Sequence, residues 1–189
     1  MNKPLLPALL LALAMAMPPA TQALEVNAVQ ADRSSLNFVF HEMGVAVNGR
    51  FRRFAAQLDF DPARLAGARA ALDLDLASID AGSDEANDEV SGPLWFNTRA
   101  FPQAHFVSNS VRALGGNRYE LSGKLSIKGR TQDVTAPFTF TPGPGGGTID
   151  GAFALKRADF AIGEGMWADT STVANEVQIT FHFLASARK

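Results

Sequence analysis

The residues of this 189-residue chain that could carry chemistry are few and scattered. His41, His105 and His182 stand far apart, and His41-Glu42 lacks the second histidine at helical spacing that a zinc-binding helix needs. Strand alternation puts His41 and His182 on outer faces, so no converging metal site emerges. No Gly-x-Ser-x-Gly turn presents a nucleophile. Asp73 and Asp75 are close enough to suggest paired carboxylates, but they alternate with Leu72, Leu74 and Leu76, which turns both toward solvent. The acidic run Asp84, Glu85, Asp88, Glu89 lacks the alternating ligands and the glycine of a calcium loop, and reads as a solvated helix face. Glycines 143 and 145 to 147 imitate a phosphate cradle, yet they join two strand patterns where a phosphate loop would lead into a helix. A flexible hairpin loop is expected over 141–148. Arg157 and Asp159 fall in phase with the inward Phe153 and Leu155. A buried charge needs a partner, so either the two form a salt bridge or Arg157 meets an anionic head group. The chain is expected not to be an enzyme and to need no metal or catalytic cofactor.

The elements that would position these residues are strands. From Tyr119 to Ile127 apolar or small residues alternate strictly with polar ones, and after a polar break over 129–133 Val134, Ala136, Phe138 and Phe140 resume the rhythm. The same alternation marks Leu36, Phe38 and Phe40, and then Val47, Gly49 and Phe51. Arg52-Arg53 shifts the phase before Phe54, Ala56, Leu58 and Phe60, which predicts a β-bulge in one long strand. Further strands are expected at 24–29, around Leu72 to Leu76, at 106–114, from Ile149 to Leu155 and from Val177 to Phe183. Ser83 suits the cap of a short helical excursion over 83–99, interrupted at Gly92-Pro93. Eight or nine strands at hairpin spacing predict an all-β antiparallel barrel.

A barrel of that size is either filled by its own side chains or holds one small ligand. With 14 Phe, two Trp and one Tyr, the inward faces offer dispersion contacts and almost no polar handles, with small gaps at Gly49, Gly123 and Gly151. A ligand would be long and hydrocarbon-like, and a packed core without a cavity is the alternative. Strand phase gives the candidate lining as Phe38, Phe40, Leu72, Leu74, Leu76 and Phe106 on the first half of the chain. Leu125, Ile127, Phe138, Phe140, Phe153, Ile179 and Phe181 follow on the second, with Trp95, Phe96 and Trp167 as candidates for the mouth.

Compartment is read from the ends and the composition. A basic start, an apolar run over 5–17 and Thr21-Gln22-Ala23 predict a secretory signal peptide cleaved after Ala23, leaving one domain over 24–189. The apolar run is shorter than the roughly 20 residues a membrane span needs. Without Lys3 the chain holds 16 basic and 19 acidic residues and no basic stripe, which argues against nucleic acid as a partner. There is no cysteine for a disulfide or for lipid attachment.

In order and spacing, several short segments resemble the YceI-like polyisoprenoid-binding family. They are Ser34 to Phe40; Val47 to Phe51 leading to Asp59-Phe60-Asp61-Pro62; Leu76 to Asp80; Trp95-Phe96-Asn97; Phe101-Pro102 before His105-Phe106; Tyr119 to Arg130; Arg157 to Ile162; and Asn175-Glu176-Val177. Arg33 stands where many members have histidine, and Asn97 where aspartate often follows the aromatic pair. The resemblance implies a lipocalin-like barrel exported to the bacterial periplasm, binding an isoprenoid chain without catalytic residues. Residues 163–169 resemble the subset that partners membrane cytochrome b proteins, which implies a redox accessory presenting a quinone as the alternative role.

Overall fold

The computed structural model describes residues 25–187. The expected signal segment, 1–23, lies outside the described residues. Eleven strands form one antiparallel sheet curled on itself: β1 (Ala28–Val29), β2 (Ser35–Glu42), β3 (Val45–Phe51), β4 (Phe54–Asp59), β5 (Arg69–Asp75) and β6 (Ile79–Asp80) precede the helix α1 (Asp84–Ser91). After it come β7 (Gln103–Gly115), β8 (Arg118–Ile127), β9 (Arg130–Gly143), β10 (Gly146–Lys156) and β11 (Glu176–Ser186). The spatial order is β4-β5-β7-β8-β9-β10-β11-β2-β3-β6, with β1 added to β11. No described helix is long and apolar enough to cross a membrane.

The all-β barrel architecture is therefore as the sequence predicts, while the strand count is higher for a physical reason. Arg52-Arg53 does not bulge a continuous strand; it breaks it, and the two halves change partners. β3 pairs with β2, and β4 pairs with β5 at the opposite margin of the sheet. Arg52 and Arg53 turn outward to Asp80 and Asp75, at 2.8 Å each, so the break is pinned by surface ion pairs. One further short strand accounts for the rest, β6 beside β3, while β1 falls within the expected 24–29 and its neighbour Val26 bridges Phe60 at the end of β4.

Turns are tighter than the polar stretches suggest. Lys128-Gly129 alone makes the β8–β9 turn, both at positive φ, and the polar residues after it belong to β9. Likewise β9 and β10 run through most of the expected glycine loop, leaving Pro144-Gly145 between them. Gly146 is required there, because a Cβ would collide with the Ala185 carbonyl of the neighbouring strand. Leu76, expected on a strand, begins a 3-10 turn and is fully buried.

Two apolar clusters divide the interior lengthwise. At one end Phe60 meets Tyr119, Phe138 and Phe140 at centroid distances of 5.1, 5.7 and 5.2 Å, all near perpendicular, a packing that suits the ring quadrupoles. The other cluster surrounds Leu36, Phe38, Leu74, Ile127 and Ile179 and lies beneath α1 and the 157–175 connection. There the β2–β3 hairpin meets that connection, with Met43 N donating to Thr172 O at 2.8 Å.

Candidate ligand cavity and its cap

Inward residues of β2, β5, β7, β8, β10 and β11 enclose a cavity of about 240 Å³. Of the seventeen residues that the sequence nominates, all but Phe140 and Trp167 line it. Phe140 is buried in the aromatic plug instead, 1% exposed, because its β9 position falls below the cavity floor. Trp167 sits on the cap, with its ring 5.5 Å from Trp95. Trp95, Phe96 and Val90 roof the cavity, so the helical excursion supplies part of the wall.

The glycines expected as gaps are seats for phenylalanine rings. A Cβ on Gly49 would collide with the ring of Phe38, one on Gly123 with Phe106 at 2.6 Å, and one on Gly151 with Phe181. Gly49 and Gly151 lie directly across the ladder from those rings, at Phe38 and Phe181. Each glycine lets a ring lie flat against the neighbouring backbone, so the rings upholster the wall and leave the centre free.

Arg157 follows neither expectation drawn from its spacing, and this is a correction. Asp159 is exposed and, among the described residues, forms no salt bridge with it. The guanidinium is 2% exposed and donates to five backbone carbonyls: Nε to Ala174 at 3.1 Å, Nη1 to Ile162 and Gly163 at 2.9 Å each, and Nη2 to Trp167 at 2.8 Å and Val173 at 2.7 Å. All five N–H donors are thereby occupied, and none is left for a ligand head group. Burial pushes its pKa down from the usual arginine value, yet arginine starts high enough to stay charged. Its Cζ also lies 5.6 Å from the Trp95 ring centroid. Gly163, at φ +76°, allows the approach, since a side chain there would strike Nη1.

The two cap segments are clipped together. Gly163 N and Glu164 N both donate to Leu94 O, at 2.9 and 2.8 Å. Lys128, from the β8–β9 turn, reaches up to Ala161 O at 2.7 Å and Glu164 Oε2 at 2.9 Å, and that ammonium holds the Glu164 carboxyl below its ordinary pKa. Ser83 caps α1, accepting from Ala86 N at 3.2 Å. Sequence reasoning missed Glu89: the acidic run does face solvent, but Glu89 Oε1 accepts both indole N–H groups, from Trp95 at 3.1 Å and Trp167 at 2.7 Å. Nothing in the spacing of residues 89, 95 and 167 signals that convergence.

The polar candidates lie outside. Asp73 meets His105 at 2.7 Å across β5 and β7, and Asp150 meets His182 at 2.6 Å across β10 and β11, all four about half exposed on outer faces. Asp75 binds Arg53 and caps the Leu76 turn through Ala77 N. Among the described residues no three His, Cys, Asp or Glu gather as metal ligands, and no buried side-chain nitrogen or oxygen lacks a partner.

Comparison with known proteins places this geometry. The crystal structure of Burkholderia cenocepacia BcnA is 43% identical in sequence and superposes with a TM-score of 0.81, covering 84% of this chain and 99% of that one. A polyisoprenoid binding domain from Saccharophagus degradans shares the fold at 17% identity, with a TM-score of 0.63 over 88% of this chain and all of that one. A UPF0312 protein of Azotobacter vinelandii is 28% identical over 162 residues, 80% of this chain and 84% of the relative. The YceI-like domain model matches residues 28–185, spanning every strand of the sheet, and the chain belongs to that family.

Proposed function

We propose that the protein is a periplasmic carrier that holds a long apolar chain, a polyisoprenoid or isoprenoid quinone, inside its curled sheet by burial alone. The observation that carries this reading is the cavity, about 240 Å³ and walled by phenylalanine, leucine and isoleucine side chains, above an aromatic plug. Burying roughly 400 Å² of hydrocarbon at about 25 cal/mol per Å² is worth about 10 kcal/mol before association costs. Micromolar binding follows without a charged contact. The solved domain described as polyisoprenoid binding shares the fold, which supports the ligand class. The role we propose is binding rather than catalysis: the side chains of both histidine–aspartate pairs are about half exposed on the outer faces of their strands.

Mass spectrometry of an organic extract of natively folded protein from periplasm tests this. The expected result is a stoichiometric isoprenoid, and a quinone head would favour the redox role. An empty extract, together with failure to take up added isoprenoid, would overturn the carrier reading.

A further inference from the structure

The sheet has a margin at β4 that no ladder closes. β4 pairs with β5 alone. On its other side Val26 exchanges backbone hydrogen bonds of 3.0 and 2.9 Å with Phe60, just past the end of the strand. Since Phe60 turns its N–H and C=O to that side, strand alternation turns those of Leu58 and Ala56 the same way. Among the described residues no backbone group receives them. Ala56 and Leu58 line the apolar cavity, and they also line a groove of about 580 Å³ that Glu25, Asn27 and Ser108 border. Gln57, Asp59 and Arg69 belong to both linings, so the apolar space runs into the polar one at this margin. Under the cap, by contrast, Arg157 has given all five N–H groups to carbonyls.

Resting on the carrier reading above, we propose that the oxygen-bearing end of the bound chain, a quinone carbonyl or an alcohol, lies at the β4 margin and accepts hydrogen bonds from the unpaired Ala56 and Leu58 N–H groups. A polar end held against apolar walls gives up its hydration without replacement. An open strand edge offers a row of donors and acceptors that returns the lost hydrogen bond, while the hydrocarbon behind it stays buried.

The test cross-links delipidated protein by light to a geranylgeranyl chain ended by benzophenone, an aromatic ketone standing in for the quinone carbonyl, and locates the adduct by peptide mass spectrometry. Adducts are expected within 25–29, 56–59 and 69–71. Adducts confined to other parts of the chain, the cap segments 94–97 and 163–167 above all, overturn the proposal. Ala56→Pro gives a second reading, because proline removes an N–H that the β5 ladder does not use. The affinity for geranylgeraniol, taken as a ratio to that for the same chain without its hydroxyl, should fall several-fold. An unchanged ratio overturns the proposal even if the variant is less stable, since both compounds meet the same fold. Failure of the wild-type protein to take up any of these chains is a different result: the carrier reading falls, and the proposal with it.

Discussion

The two ends of the sheet are closed by different physics. At the plug, Phe60, Tyr119, Phe138 and Phe140 fill space ring against ring, and Val26 and Ile149 complete the apolar contact surface. At the cap, segments with little regular structure are tied by hydrogen bonds to Arg157, Glu89 and Lys128. Dispersion contacts are lost gradually and only by moving many atoms, whereas a hydrogen bond is directional and can be exchanged for water. The plug is thus held by ring packing alone, whereas the cap adds directional hydrogen bonds to the apolar burial of Trp95, Phe160 and Ile162.

Substitutions can break this contrast, the largest first. Phe60→Ala should cost about 3–5 kcal/mol, by denaturant unfolding, because a ring 1% exposed leaves a hole among three others. Isoprenoid uptake should persist; its loss would mean the floor shapes the site. Arg157→Met leaves five carbonyls without their donor and should cost about 3 kcal/mol. It should also speed ligand dissociation, measured by stopped-flow exchange, since the cap loses its hub. Unchanged stability with lost affinity would return the head-group role to Arg157.

Gly49→Ala is smaller, about 1–3 kcal/mol, as expected of overpacking. The displaced Phe38 ring has only the cavity to enter, so isoprenoid capacity should fall more than stability, and titration beside thermal melting separates the two.

The smallest effect belongs to the floor's margin. The Arg64 side-chain hydrogen bond, helped by the Ala63 N–H, holds the Asp61 carboxyl below its ordinary pKa. A carboxyl depressed on folding contributes stability above its unfolded pKa, and the contribution disappears as pH falls through the lower, folded value. Asp61→Asn should therefore be slightly less stable than wild type at neutral pH. The gap should close below the ordinary aspartate range, as acid titrations of unfolding would read. Arg64 is exposed, which keeps the effect small.

How far the sequence discloses this contrast depends on the kind of contact. Period-two alternation places Phe38, Leu125, Phe153 and Ile179 on the wall because a strand's geometry is local. It also turns Arg157 inward, but it cannot name partners that are backbone carbonyls of a loop. Phe140 obeys the same alternation as Phe138, and only the length of β9 decides that it falls below the floor. The Phe–Gly seats are cross-strand pairs, visible once register is known and not before. Glu89 is the furthest from view, since a surface carboxylate on a capped helix looks alike whether or not two indoles reach it.

One pairing governs how the molecule is made. Residues 28 and 29 lie beside 186 and 185, so β1 is laid against β11, and the same early segment bridges to Phe60. Such contacts close a very long loop and are reached late, after the local hairpins. The β7–β10 meander can assemble from short-range contacts. β1, β2 and β10 all pair with β11, so three ladders of the vessel wait on the last strand of the chain.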